Sequence, residues 1–191
     1  MDITENNYRL LIVDDNPAIH DDFKKILIPD EDPIRQDQLE NLKETLFGHR
    51  ASQKVPLSYA IDSAYSGSEA LKLSSQAVQE GKPYALAFVD VLMPTGLNGV
   101  ETTKRLWKVD PEIQIVICTA YADYSWNEMI EQLGINDNFV ILKKPFDNIE
   151  IKQLACCLTQ KWQLSKQVGH QFDRINEEIA RKSQDLTVWT R

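Results

Sequence analysis

The chain is poor in the residues that would tie it together covalently or carry it into a membrane. Its 191 residues include three cysteines. Cys118 lies inside an apolar run, and Cys156 and Cys157 are adjacent on an expected helix, so no metal-ligand spacing arises and core-filling thiols are expected. No stretch reaches the ~20 apolar residues of a membrane span. The opening MDITENNYR has neither the basic start nor the apolar core of a signal peptide, and a cytoplasmic chain is expected. Basic residues are in deficit, 21 against 29 acidic, giving a net charge of −8. With no local basic patch, that charge argues against nucleic acid and anionic lipid as partners. Internal repeats and low-complexity tracts are absent as well. What remains is a hydrophobic content of 42%, enough for one domain core with residues to spare.

That core is written as alternating strands and helices. YRLLIV at 8–13 is a continuous apolar run, as in a strand covered on both faces. A helix follows directly, with Asn16 as cap, Pro17 in its first turn and a stripe of Ile19, Phe23, Ile26 and Leu27, and it breaks at Pro29. Residues 28–56 interrupt the rhythm with an acidic segment, expected to be an accessory helical excursion on the surface. The alternation resumes at LSYAIDSA, residues 57–64, and a helix opened by Ser66 and Glu69 at capping-box spacing. YALAFVD, IQIVICT and FVILKKP supply three more strands. Their helices carry Val100, Thr103, Leu106 and Trp107, then Ser125 and Glu128 with Met129, Ile130 and Leu133, then Asp147 and Glu150 at the start of a last helix. Five strands alternating with five helices predict an α/β fold, a doubly wound five-stranded parallel sheet with right-handed crossovers.

In such a sheet ligands bind at the carboxyl ends of the strands, and four of those ends carry polar groups. Asp14 and Asp15 end LLIV, Asp90 ends LAFVD before a Pro/Gly-rich turn, Thr119 ends IQIVIC, and Lys143 and Lys144 end FVIL before Pro145. Up to three carboxylates brought together would raise one another's pKa unless a cation neutralised them. Oxygen ligands with open positions suit Mg2+, which prefers one or two carboxylates plus a phosphate oxygen. Asp90 is the natural nucleophile toward a phosphoryl donor, and Thr119 carries a rotatable hydroxyl able to report a phosphoryl oxygen.

Taken in order and spacing, LIVDD, VDVLMP with a following NG, CTA and KKPF resemble the receiver domain of two-component response regulators, over residues 8 to about 155. The resemblance implies a flavodoxin-like fold in which Asp90 accepts a phosphoryl group from a histidine kinase or phosphotransfer protein. It implies Mg2+ ligation by Asp15, Asp90 and the backbone carbonyl of Leu92, with Asp14 assisting. It selects Lys144 over Lys143 and leads to a cis bond before Pro145. Three departures stand beside it: the long excursion at 28–56, Thr95 as an added residue in the turn after Asp90, and Ile141 where the family often has an aromatic ring. An aspartyl-phosphate phosphohydrolase is the enzyme alternative. It would want a second acid two residues after the nucleophile, where Leu92 stands. A receiver serving only as a dimerisation scaffold is the other alternative, and the full set Asp14, Asp15, Asp90, Thr119 and Lys144 speaks against it.

From Ile151 a 3,4 spacing runs through Leu154, Leu158, Val168, Phe172, Ile175 and Ile179 to Leu186 and Trp189, interrupted by Lys161, Ser165 and Lys182. This predicts a receiver at 1–150 followed by a coiled-coil-like helix at 151–191, pairing in parallel with a second copy through Leu158, Val168, Ile175 and Ile179 and suited to serve as a linker to an output domain.

Overall fold

A computed structural model describes residues 8–28, 59–94, 96–120 and 126–188. Five strands, β1 (Arg9–Val13), β2 (Ala60–Ala64), β3 (Leu86–Asp90), β4 (Gln114–Thr119) and β5 (Phe139–Lys143), form one sheet in the order β2-β1-β3-β4-β5. Every pairing is parallel. The helices are α1 (Pro17–Leu27), α2 (Gly67–Gln79), α3 (Gly99–Val109), α4 (Trp126–Leu133) and α5 (Asn148–Val188). The expected excursion within 28–56, Thr95, Ser125 and Trp189 fall on residues 29–58, 95, 121–125 and 189–191, outside the described residues.

The central strands are apolar on both faces because both faces are covered. Leu11, Val13, Ala87, Val89, Ile115 and Ile117 pack toward α2, α3 and α4, in one core cluster with Ala70, Leu106 and Met129. Leu10, Ile12, Leu86, Phe88 and Val116 pack toward α1 and α5, with Phe23, Leu27, Ile151, Ala155 and Leu158. Period-2 alternation along each strand sends successive residues into the two layers.

Capping follows the sequence with one variation. Asn16 Oδ1 accepts from the Ala18 amide at 3.0 Å, and Ser66 Oγ accepts from the Glu69 amide at 3.2 Å. The Glu69 carboxylate reaches past Ser66 to the Tyr65 amide, at 2.7 Å. At the start of α5, Asp147 Oδ1 accepts from the Ile149 amide and the Glu150 carboxylate accepts from the Asp147 amide, each at 2.9 Å.

Helix α5 is 41 residues long, roughly 62 Å at 1.5 Å per residue. Its first four turns belong to the domain: Ile151, Ala155, Leu158, Thr159 and Trp162 are all buried. Leu158 therefore cannot line a seam with another chain, as the 3,4 spacing alone suggested; it is spent on the α1 and sheet contacts of its own core. Beyond Trp162 the apolar residues turn outward. Lys161 bridges to Asp137 at 3.0 Å, and Lys166 pairs with Glu112, fastening the helix where it leaves the domain. The cysteines also depart from expectation. Cys118 is core, but Cys156 is half-buried and Cys157 exposed, because they sit on the sides of α5 turned from the sheet.

Candidate functional site

β1 and β3 are neighbours at the centre of the sheet, yet their helices leave toward opposite faces. A crevice opens between their carboxyl ends, the switch point where an open α/β sheet binds ligands. Asp14 and Asp15 enter it from β1 and Asp90 from β3. One ligand oxygen from each lies within 4.8 Å of the others, and they form the acidic cluster able to hold a metal among the described residues. Such a small all-oxygen donor set with open positions fits Mg2+. Asp14 is buried, Asp90 is 9% exposed and Asp15 faces solvent.

Lys144 closes the cluster from β5. Its Nζ lies 2.7 Å from Asp90 Oδ1 and 2.9 Å from Asp14 Oδ2. The ladder continues just past the strand ends and aims it there: the Lys144 amide donates to the Thr119 carbonyl at 2.8 Å, and the Val91 amide to the Cys118 carbonyl at 3.0 Å. The Lys144–Pro145 bond is cis. Its neighbour Lys143 is exposed. Thr119, 3% exposed, pairs in register with Lys143, and its hydroxyl donates to the Ala120 carbonyl at 3.0 Å. Leu92 is 57% exposed just after the strand, and Ile141 is half-buried against the core.

The turn after Asp90 depends on one glycine. Asn98 caps α3, its Oδ1 accepting from the Glu101 amide at 2.8 Å, and the Gly99 amide donates to the Val91 carbonyl at 3.0 Å. A β-carbon on Gly99 would collide with the Asp90 carbonyl oxygen and come within 2.8 Å of Val91 Cα. Only glycine lets α3 start so close to the acidic strand end.

Burial pushes the Asp90 carboxyl above the ordinary range; Lys144 pulls the other way, and Asp14 and Asp15 add to the rise. For Lys144, burial alone would lower the ammonium pKa, but the bonds to Asp90 and Asp14 outweigh it and leave it raised. One cation thus faces three carboxylates, and negative charge is left over. Burial also takes the Cys118 thiol beneath the site to about 12, so it stays protonated and unreactive.

One buried neighbour escaped sequence reasoning. His20, 1% exposed on α1, lies 2.7 Å through Nε2 from the Asp14 carbonyl oxygen. Its spacing from Phe23 and Leu27 placed it on the buried stripe, which was the available signal.

Comparison with known proteins agrees with this architecture. The family model of the response regulator receiver domain matches residues 50–155, from the approach to β2 into α5. β1 with its acidic pair precedes the match and reaches the site through the sheet order. Sporulation initiation phosphotransferase F of Bacillus subtilis (strain 168) is 34% identical over 67 residues, 35% of this chain and 51% of that protein. The uncharacterized transcriptional regulatory protein YkoG of the same organism is 28% identical over 141 residues, 70% of this chain and 58% of that protein. The chain thus spans only about half the length of these curated relatives. Among solved structures, an adenylate cyclase from Rhodopirellula baltica superposes with a TM-score of 0.59 at 19% identity, covering 87% of this chain and 98% of that one. A CheY-like response regulator receiver domain protein from Methanospirillum hungatei JF-1 does so at 0.51 and 21% identity, covering 81% and 96%. At such identities these likenesses speak for the fold alone.

Proposed function

Since the chain belongs to the response regulator receiver family of two-component signalling, we propose that Asp90 is its phosphoacceptor and that α5 carries the resulting change to a second copy of the chain. The observation that carries the first half is the convergence of Asp14, Asp15, Asp90 and Lys144 on one crevice. An Asp90 oxygen attacks phosphorus as the bond from phosphorus to the donor's histidine nitrogen breaks, leaving an acyl phosphate on Asp90 and the histidine free. Mg2+ held by Asp14, Asp15, Asp90 and the Leu92 carbonyl would offset charge on the phosphoryl oxygens. Lys144 stays with the carboxylate cluster and offers its ammonium to the new phosphoryl group. Thr119 exchanges the Ala120 carbonyl for a phosphoryl oxygen, and that rotation is what α4, β5 and α5 respond to. Ile141 stands on this path without an aromatic ring to swing. The donor is a histidine kinase or a histidine phosphotransfer protein, and the domain acts as a switch that assists its own phosphorylation and dephosphorylation. Leu92 in place of a second acid leaves the phosphohydrolase reading without its general base or acid.

Incubation with acetyl phosphate and Mg2+, followed by intact mass, tests the assignment. One phosphoryl group is expected on the parent and none on Asp90→Asn. Equal gain by the Asn variant would remove Asp90 from the role.

Two apolar faces on α5 support the second half. Residues 151, 155, 158 and 162 face the domain, while Leu164, Val168, Phe172, Ile175 and Ile179 lie roughly 120° around the helix and are each more than half exposed. A helix serving only its own domain needs one such face. The second runs in heptads, and Lys182 within it is bonded to Glu178 at 2.8 Å, which softens repulsion between copies of Lys182. The receiver unit is accordingly taken to run to about Trp162, with 28–56 as an accessory insertion and a parallel coiled coil beyond. Among the described residues no helix is long and apolar enough to cross a membrane. Sedimentation should give a dimer for the parent at tens of micromolar and a monomer for Val168→Glu with Ile175→Glu, which still takes phosphate. A monomeric parent, with and without beryllofluoride, would end the dimer reading.

A further inference from the structure

We propose that His20 is a positioning residue for the acidic turn: its imidazole holds the Asp14 carbonyl and thereby sets where Asp15 meets the metal. The inference rests on the phosphoacceptor reading above and names a residue outside the cluster itself.

The need arises from the sheet. Asp14 follows the last residue of β1, and its amide still donates to the Ala64 carbonyl at 3.2 Å. In a parallel ladder the Asp14 carbonyl would take the next amide two residues further along the same neighbour. β2 ends at Ala64, and among the described residues no backbone amide donates to the Asp14 carbonyl. A buried carbonyl left without a donor costs about 1–3 kcal/mol.

His20 supplies the donor from the side. Its Nε2 is 2.7 Å from the Asp14 oxygen, a contact that requires the hydrogen on Nε2, since a carbonyl can only accept. Nδ1 is buried and has no hydrogen-bond partner among the described residues. The ring is held in place by Tyr65, whose centroid lies 4.5 Å away at a tilt of 47°. The bond fixes the peptide plane between Asp14 and Asp15. Asp15 is exposed, so no packing of its own orients its side chain; the backbone it hangs from does so instead. Hydrogen-bond partners one step behind a metal ligand typically govern affinity by ~10–100-fold.

The test compares His20→Gln with His20→Leu in the full chain. A Gln amide nitrogen stands as many bonds from Cβ as Nε2 and can make the same donation; Leu cannot. Mg2+ binding is read by titration calorimetry and unfolding by thermal melting in EDTA. The Leu variant is expected to bind Mg2+ about 10-fold more weakly and the Gln variant within about 3-fold of the parent. A merely structural role would move the melting temperature of both and the affinity of neither. Parent-like affinity in the Leu variant, or equal weakening in both, would overturn the proposal. Should the Leu variant not fold, His20→Asn replaces it, since its amide stops at the Nδ1 position; parent-like binding there is equally fatal. A parent that binds no Mg2+ would bring down the site reading as well, whereas normal binding and phosphorylation in both variants would remove His20 alone.

Discussion

Each edge of the sheet holds an aspartate against a cation, with opposite results. Toward the amino edge, Asp62 on β2 accepts from Arg9 Nη2 and from the Tyr84 hydroxyl, both at 2.7 Å. Burial alone would raise its pKa, but those bonds outweigh it and hold the carboxyl below its ordinary range. The guanidinium also lies 4.5 Å over the Tyr84 ring and donates to the Lys82 carbonyl at 2.7 Å. At the carboxyl edge Asp90 has Lys144 equally near, yet its pKa is raised. The difference is one of numbers. Asp62 has two donors to itself, whereas Lys144 is shared with Asp14 and a third carboxylate stands nearby. The charge of Asp62 is balanced by its own partners, whereas the cluster around Asp90 keeps an excess of negative charge.

The sharpest way to break this contrast is to measure metal binding at both edges. Asp15→Ala should weaken Mg2+ affinity at least ~10-fold, since a ligand matters no less than the groups behind it. Lys144→Ala should not weaken it, because it removes a competing cation, and Asp62→Asn should leave it unchanged. Equal affinity in Asp15→Ala and the parent, by calorimetry, would show that the cluster is not the metal site.

A smaller effect sets the edges against each other in stability. Without metal, the ionised Asp90 costs the folded state more than its bond to Lys144 returns, so Asp90→Asn should raise the melting temperature of the chain. Asp62→Asn should destabilise it by less than about 1 kcal/mol, because the pair is partly open to solvent. Thermal melts in EDTA decide this through the signs. Two changes in the same direction would mean that the edges do not differ as described.

Most of the site was legible because buried parallel strands announce themselves as apolar runs, and the polar residue ending each run must lie at one edge. Asp14, Asp15, Asp90, Thr119 and the pair Lys143 and Lys144 were readable in that way, while the choice of Lys144 within the pair came from the family resemblance. His20 was not readable, since a histidine on a buried stripe looks the same whether it fills space or donates to a carbonyl. Arg9 on β1, Asp62 on β2 and Tyr84 in the loop before β3 are separated by up to 75 residues, and no local pattern joins them. The two faces of α5 were merged into one stripe because a 3,4 spacing fits both. Only the packing of Ile151, Ala155, Leu158 and Trp162 separates the face used within the domain from the one left outside.

The smallest effect is also the most discriminating, because it depends on the order in which the two edges respond to acid. A carboxyl whose folded pKa is raised is a cost that is fully present above that pKa and gone below the unfolded value of about 3.9. The advantage of Asp90→Asn over the parent should therefore be constant near neutrality and shrink as pH falls through the raised pKa of Asp90, vanishing by about pH 4. A carboxyl whose folded pKa is lowered contributes stability that is present above the unfolded value and lost as pH falls through the lower folded value. The deficit of Asp62→Asn should persist through the range in which the Asp90→Asn advantage disappears, and begin to close only below about pH 4. Melting curves in EDTA from pH 7 down to 3 would resolve the sequence. An Asp90→Asn advantage that stayed constant to the acid end, or an Asp62→Asn deficit that closed first, would reverse the assignment of which carboxylate is satisfied by the fold and which is held in reserve for a ligand.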